Sequence, residues 1–155
     1  MAAFTPGRVD HLVRRLVSLG AARREEIRGC SEEEIRAVEV IYRVRLPRAY
    51  RLWLATMGHG AGRASQANTG LALFYPTAVF LTHLVRREPG HEVLPDQAFV
   101  FADDQSIQCW FFVADGHSDD PEVFLREFGT ATYGSAGQSL WEFLEAETLS
   151  LGEGR

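Results

Sequence analysis

Residues 29–60 read GCSEEEIRAVEVIYRVRLPRAYRLWLATMGHG, and this stretch decides the fold because it holds the signals for two helices and the corner between them. Ser31 can accept a hydrogen bond from the backbone of Glu34 while the Glu34 side chain reaches back. This capping box predicts that a helix begins at Ser31. The side chains predicted to point inward from that helix are Ile35, Val38, Ile41 and Tyr42.

A second helix is predicted directly after a corner at Leu46-Pro47. Proline suits the first turn of a helix, because it lacks a backbone donor that would go unused there and its φ angle is already helical. Apolar residues then recur three and four positions apart, which predicts one buried face made of Tyr50, Trp53, Leu54 and Met57. Gly58 is predicted to end this helix in the left-handed conformation.

Three further helices are predicted outside this stretch. An apolar stripe behind Pro6 predicts an N-terminal helix near residues 7–19, followed by a charged connector. Thr77 is predicted to begin a helix that runs to about Arg87. Ser139 and Glu142 repeat the capping-box pattern and predict a closing helix.

Strands are predicted between these helices. They are the apolar runs at 70–75, 99–101, 107–113 and 123–125, the last extending towards 128. An acidic turn at 103–106 joins two of them into a hairpin, whereas the Gly- and Ser-rich segment 129–138 is predicted to be a loop. Helices first, then an antiparallel meander, then a closing helix make an α+β fold.

Length and composition favour one domain that folds without help from a metal ion or a disulfide. A chain of 155 residues buries about 70% of its unfolded surface on folding. Cys30 and Cys109 lack partners at metal-ligand spacing, which favours two reduced, structural thiols. The N-terminus shows no signal-peptide pattern and no apolar run reaches membrane length, so we expect a cytoplasmic protein that contacts no membrane.

Charge is distributed unevenly along the chain. Residues 1–87 hold 14 arginines and 7 acidic residues, whereas residues 88–155 hold 2 arginines and 14 acidic residues, giving net charges of +7 and −12. An acidic half can steer a basic partner to one surface if its residues also cluster in space. The two halves can equally offset each other across the folded domain. A basic stripe is not evident, so no direct binding of nucleic acid is expected.

One group of residues is similar in type to a metal or acid–base site. It consists of aspartates in two predicted turns and one histidine among them: Asp103, Asp104, Asp115, Asp119, Asp120 and His117. Their spacing matches no calcium loop, and aspartates at turn tips are usually solvated turn formers. The histidines do not have the spacing of a zinc site, and the sequence contains no motif of a catalytic nucleophile. We predict no enzyme activity, no metal and no cofactor; the alternative is a metal-assisted hydrolase that uses His117.

Three aromatic residues follow one another in a predicted strand. Alternation places Trp110 and Phe112 on one face of the sheet and Phe111 on the other. Helices that cover both faces would bury all three. An uncovered face would leave an aromatic exposed beside acidic turns, where it could anchor a protein partner.

The chain resembles the SUKH superfamily, specifically the Smi/Knr-type domain named after a fungal cell-wall assembly regulator. The residues that carry the resemblance are Ser31, Ile35, Glu39, Leu46-Pro47, Tyr50, Leu54 and the glycines after them. Later strands and the closing segment at 139–144 match in order, so the resemblance spans about Val9 to Leu149 and leaves one domain over 1–155. The family usually has Asn-Gly-Gly after the second helix, whereas this chain has Gly58-His59-Gly60-Ala61-Gly62.

This resemblance implies an α+β fold and a protein-binding module. Bacterial members are implicated as immunity proteins, so it implies a cytoplasmic antidote that binds and neutralises a cognate polymorphic toxin of the nuclease or deaminase class. The alternative is a regulatory or scaffold domain with an endogenous partner, as in cell-wall signalling. The residues predicted to bind a basic protein partner are Asp103, Asp104, Trp110, Asp115, Asp119 and Asp120. The sequence does not determine the oligomeric state.

Overall fold

A computed structural model of the chain describes residues 3–66, 71–75, 81–82, 85, 94–105 and 107–154. The described helices are α1 (Pro6–Ser18), α2 (Glu32–Tyr42), α3 (Arg48–Met57), α4 (Arg63–Gln66) and α5 (Leu140–Gly152). The described strands are β1 (Ile27–Arg28), β2 (Gly60–Ala61), β3 (Leu71–Ala72), β4 (Ala98–Asp104), β5 (Gln108–Val113), β6 (Glu122–Glu127) and β7 (Gly134–Ser139). Most of the helix predicted between Thr77 and Arg87 lies outside the described residues, although Leu81, Thr82 and Val85 are helical. This order confirms the α+β class.

The predicted start of α2 is confirmed. The Ser31 hydroxyl accepts from the Glu34 amide at 3.1 Å, and the Glu34 carboxylate accepts from the Ser31 amide at 2.9 Å. Ile35 and Val38 are buried as predicted, but the prediction for Ile41 was wrong, because its side chain is 68% exposed. The helix ends at Tyr42, and the φ of 54° at the next residue, Arg43, turns the chain away from the helix axis.

The corner between α2 and α3 is held by one carboxylate. Glu39 accepts from the Leu46 amide at 2.9 Å and pairs with Arg51 at 3.5 Å. Pro47 stands immediately before the first residue of α3, one position earlier than predicted. The predicted stripe is confirmed, since Tyr50, Trp53, Leu54 and Met57 are all buried. The corner therefore seats α3 in the core through local contacts.

Gly58 follows α3, but the prediction that this residue is left-handed was wrong. Its φ and ψ of −57° and −32° continue the right-handed conformation. A Cβ atom there would lie 2.6 Å from the Cys30 sulfur and 2.7 Å from the Leu54 carbonyl oxygen. Glycine is needed at this position for close packing, and the left-handed residue of the loop is Gly62, with φ of 59°.

The larger sheet is an antiparallel meander in the order β3-β4-β5-β6-β7, as predicted. The loop predicted at 129–138 was wrong in its second half, because β7 forms there and pairs with β6. Glycine and serine have low strand propensity, which hid this strand from pattern reasoning. Hydrogen bonding to β6 therefore stabilises this strand, although its residues do not favour a strand by themselves.

Helices cover both faces of the sheet in the described part of the chain. Phe99, Phe101 and Phe112 pack against Tyr50 of α3 and join the main core. Phe111 points to the opposite face, into a second cluster that includes Leu81 and Val85. The predicted alternation of the aromatics is confirmed. The two cysteines are free and buried, also as predicted.

Candidate functional site

The predicted partner-binding aspartates lie at opposite ends of the sheet. Asp104 of β4 pairs with Gln108, whereas Ala98, at the start of the same strand, pairs with Val113. The two ends are thus about 17 Å apart at the usual rise of a strand. Asp103 and Asp104 occupy the first end, and the turn that contains Asp115, Asp119 and Asp120 occupies the second. The prediction that these residues form one acidic surface is not supported.

Asp103 belongs to strand β4 and not to the turn predicted at 103–106. It is the register partner of Cys109, which pairs in turn with Arg126, so the three side chains share a sheet face. Arg126 is fully buried and donates to the Thr130 carbonyl oxygen at 3.2 Å. Asp103 therefore lies on the same sheet face as this buried guanidinium.

Asp104 points to the other face, towards α5. Burial and the negative charge of Asp104 together raise the pKa of Glu147. Trp110 lies on this face as well, half-buried, and its ring contacts that of Phe143 at 5.4 Å between centroids. Trp110 therefore contributes to packing under α5.

The turn with the other predicted aspartates lies against the α2–α3 corner. The Arg45 amide donates to the Ala114 carbonyl oxygen at 3.3 Å, and the Ala49 amide donates to that of Asp119 at 2.9 Å. Asp115 also pairs with His117 at 2.9 Å. The exposed arginine Arg45 thus stands beside an acidic turn.

Asp120 connects this turn to the start of α5. Its carboxylate accepts from the Trp141 amide at 2.7 Å, and Ser139 accepts from the Glu142 amide at 3.3 Å. Two of the free amides at the helix N-terminus are therefore satisfied by side chains. Asp120 thus joins the start of α5 to the start of β6.

Replacing Asp120 with alanine should lower the free energy of unfolding by about 1 kcal/mol, because one amide of α5 loses its acceptor. Asp120→Asn keeps an acceptor oxygen and should cost less than half as much. Urea denaturation followed by tryptophan fluorescence measures both. Asp119→Ala, an exposed neighbour, is the control and should change stability by less than about 0.5 kcal/mol. Equal losses for Asp119→Ala and Asp120→Ala would contradict this role.

Two cavities lie beside β7. One, of about 440 Å³, is lined by Asp120, Glu122, Gly137, Gln138 and Ser139. The other, of about 200 Å³, is lined by Leu125, Glu127, Thr130, Thr132, Tyr133, Gly134 and Ser135. Asp120 had been predicted as a partner-binding residue, but sequence reasoning missed the β7 residues of both cavities because β7 was predicted to be a loop.

Tyr133 stands at the smaller cavity, just before β7. It is 39% exposed, and its ring contacts those of Phe111 at 5.1 Å and Phe124 at 5.7 Å. A partly exposed aromatic supported by buried aromatics is the kind of residue that anchors protein interfaces. Phe111 and Phe112 are fully buried and Trp110 is half-buried, so the exposed aromatic at this sheet edge is Tyr133, which had not been predicted.

A third cavity, of about 380 Å³, borders the glycine loop after α3. His59 lies at its wall, with Nε2 2.8 Å from the Glu34 carboxylate and its ring 4.7 Å from that of Tyr75. Behind it, burial and the charge of Glu34 raise the pKa of Cys30 to about 12. A thiol with such a pKa stays protonated at neutral pH and is a poor nucleophile.

A comparison with models of protein families places the chain among known proteins. The model of the SUKH_6 family, described as SMI1-KNR4 cell-wall, matches residues 32–144, well over half of the sequence. The chain belongs to the SMI1-KNR4 family. The match begins at the first residue of α2 and ends within α5. A search of curated proteins found no match.

Family membership accounts for several residues that the sequence singled out. Ser31, Glu39 and Leu46-Pro47 cap α2 and build the corner of the SMI1-KNR4 domain, and Tyr50 and Leu54 fill its core. These matching residues are structural. The family is consistent with a protein-binding module of the immunity or regulatory kind.

The sequence also left open a metal-assisted hydrolase that uses His117, and the described residues bear on this alternative. Among them, no three His, Cys, Asp or Glu side chains converge as potential metal ligands. His117, the candidate for a metal-assisted hydrolase, is 86% exposed and pairs with Asp115. No helix in the same residues has the length and apolar character needed to cross a membrane.

Acid should weaken the SMI1-KNR4 domain partly through Glu34. Hydrogen bonds from the Ser31 backbone and from His59 lower the pKa of Glu34 below its ordinary 4.5. Because the folded state favours the charged form, this stabilisation is present above the unfolded pKa and is lost as pH falls through the folded pKa. Glu34→Gln should therefore lose less of its stability than the wild type between about pH 6 and pH 3.

Urea midpoints at the two pH values measure this difference. Glu33→Gln removes the same charge from an exposed neighbouring position and is the matched control. It should keep the acid sensitivity of the wild type. An identical pH dependence in Glu34→Gln and Glu33→Gln would show that the Ser31–Glu34–His59 contacts do not contribute.

Proposed function

We propose that this SMI1-KNR4 domain is a cytoplasmic bacterial immunity protein that binds a cognate toxin of the nuclease or deaminase class and blocks its activity. The observation that carries the proposal is the family match, which covers α2, α3, the main sheet and the start of α5. The domain acts by occupying its partner and carries out no chemistry of its own. A regulatory role with an endogenous partner is the alternative, and the cell-wall description of the family favours it.

The acidic character of residues 88–155 supports the proposal that the partner has a basic surface. Nucleases and deaminases that act on nucleic acid use positive charge to hold phosphates, so an acidic protein surface can compete with their substrate. Residues 88–155 carry a net charge of −12. Of the predicted partner-binding residues, Asp119 is exposed, and Asp120 lines a cavity together with Glu122. The contact surface that we propose consists of Asp119, Asp120, Glu122, Tyr133 and β7.

The proposed contact surface leaves Asp103 and Trp110 out of the interface. Asp103 shares a sheet face with the buried Arg126, and Trp110 packs on Phe143. Substitutions at either position would disturb folding as well as any interface. Tests of binding should therefore use residues on the exposed side of the sheet edge.

Co-expression tests the function directly. The product of the gene encoded immediately upstream is produced in a bacterial host with and without this chain, and growth is scored. Toxicity that the chain relieves supports an antidote, whereas a harmless product favours the regulatory alternative. A toxic product that is not relieved by the chain and does not bind it would overturn the proposal.

Association kinetics then test the acidic surface. The paired variant Asp119→Asn with Glu122→Gln should slow association with a toxic partner about three- to tenfold at low salt and weaken its salt dependence. The double variant Asp10→Asn with Glu33→Gln removes two negative charges from exposed positions on α1 and α2 and is the matched control. Equal slowing by both double variants would indicate a general charge effect and would exclude this surface.

A further inference from the structure

Within the described residues, strand β7 is an edge of the main sheet. It pairs with β6 on one side and ends the strand order β3-β4-β5-β6-β7. Every second backbone N–H and C=O of such a strand points away from the sheet and can pair with another chain. Proteins usually protect an edge of this kind with proline or with charged residues, above all lysine. The sequence of β7 is Gly-Ser-Ala-Gly-Gln-Ser, which contains none of these.

Space for another backbone is available along this edge. A Cβ atom built at Gly134 or Gly137 would meet no atom within 4 Å. Glycine within a strand is often found where a ligand or another backbone approaches closely. Gly134 and Ser135 are both exposed. The first half of β7 is therefore accessible to an incoming strand.

A bulge limits the length of chain that β7 can pair with. The register between β6 and β7 shifts after Glu122, and Gly137 has a φ of 77°. Bulges bend an edge and interrupt its ladder of hydrogen bonds. A short extended segment fits this edge better than a long flat strand.

The two cavities beside β7 differ in chemistry. The larger one is lined by Asp120 and Glu122, whose carboxylates accept from the Trp141 amide and the Ser135 hydroxyl and retain acceptor capacity for an arginine or lysine side chain. The smaller one is bordered by Tyr133 and Leu125, which suit an apolar or aromatic side chain. In strand addition, backbone hydrogen bonds supply affinity and pockets for alternate side chains supply specificity. The edge of β7 combines both features.

We propose that β7 receives a short, extended, basic segment of the protein partner as an added strand, with an arginine or lysine side chain in the cavity of Asp120 and Glu122. This inference rests on the proposed protein-binding function and specifies which part of the partner is bound. The two acidic residues that line this cavity, Asp120 and Glu122, favour a basic segment over an acidic one. The segment from Asp119 to Glu122 lies beside the Ser139 end of β7, where this cavity is, and adds a further acidic side chain to the contact.

A pair of synthetic peptides tests the inference on the whole chain. The first alternates threonine, valine and arginine, and the second replaces each arginine with glutamate. Nitrogen-15 NMR should show the arginine peptide shifting the amides of residues 134–139, with slower hydrogen exchange there. The arginine peptide should bind at least about tenfold more tightly than the glutamate peptide. Asp120→Asn combined with Glu122→Gln should reduce this preference to about threefold or less.

Gly134→Lys tests the edge itself. Position 134 is exposed and its Cβ has free space, so the variant should fold, while a lysine on the edge should weaken binding of the arginine peptide at least about tenfold. Ala37→Lys adds the same charge on the exposed side of α2 and should bind normally. Loss of binding in Ala37→Lys alone, or peptide-induced shifts near the exposed Val40 and Ile41, would place the partner on α2 and overturn the inference.

Other outcomes also decide between the alternatives. No amide shift with several millimolar arginine peptide would overturn the inference. A dimer in sedimentation that Gly134→Lys abolishes would show that a second copy of the chain occupies the edge instead. If Gly134→Lys relieves toxicity as well as the wild type, the edge is wrong while the immunity function stands. If the peptide binds at β7 but the upstream gene product is harmless, the edge stands and the immunity function fails.

Discussion

Gly29→Ala is expected to lower the free energy of unfolding by about 3 kcal/mol or more. A Cβ atom at this position would lie 1.7 Å from the Ala55 carbonyl oxygen and 2.3 Å from its carbon. Both are backbone atoms of α3, which cannot move aside as a flexible side chain could. The Cys30 amide, next to Gly29, donates to Leu54 of α3 at 2.8 Å, so relieving the clash would also break this bond.

Gly7→Ala is the control for Gly29→Ala, because it should have the opposite sign. Gly7 lies in α1, and a Cβ there would approach only the Thr5 hydroxyl, at 3.9 Å. Alanine within a helix is about 0.5–1 kcal/mol better than glycine, so Gly7→Ala should stabilise the domain. Urea denaturation measures both variants. A Gly29→Ala protein as stable as the wild type would show that α3 and the segment before α2 do not pack as closely as these distances indicate.

Trp53→Ala is expected to cost about 3–5 kcal/mol, because it removes a large side chain from the centre of the core. Trp53 is fully buried, its ring stacks on Tyr50 and contacts Phe74, and its indole N–H donates to the Thr148 hydroxyl at 3.3 Å. Through these contacts it joins α3 to α5. The cavity left by alanine cannot be filled by neighbours that belong to three different parts of the chain.

Two further variants separate packing from hydrogen bonding at Trp53. Thr148→Val keeps the shape of the side chain but removes the acceptor, and should cost about 1–2 kcal/mol by leaving the indole N–H unpaired. Trp53→Phe keeps part of the ring volume and should fall between Thr148→Val and Trp53→Ala. Thermal and urea denaturation measure the series. A loss below about 1 kcal/mol for Trp53→Ala would contradict the central place of this residue.

Local signals predicted the helical part of the fold well. The capping box of Ser31 and Glu34, the proline corner and the stripe led by Tyr50 are interactions within a few residues of each other, so the sequence nearly suffices to define them. Ile41 was misplaced because it lies six residues after Ile35, about 120° around the helix from the buried face, and therefore points to solvent.

The strands were predicted with less success at the edge of the sheet. The central strands are rich in aromatic and β-branched residues, and their alternation was read correctly from Trp110 to Phe112. β7 has no such pattern and exists because β6 offers it hydrogen-bonding partners. The candidate surface beside β7 was missed for the same reason, since a loop was expected where the strand forms.

The sequence by itself determined the family, the α2–α3 corner and the order of the antiparallel strands, because caps, turns and hydrophobic periods act over short distances. Only the tertiary structure decided which charges stand together. Strand register placed Asp103 and Asp104 at one end of the sheet and the turn of Asp115 and Asp120 at the other, about 17 Å away along the strands, and it brought Asp120 and Glu122 beside β7. Distances between residues far apart in the chain depend on how the strands pair, and charge counts along the sequence carry no information about that pairing.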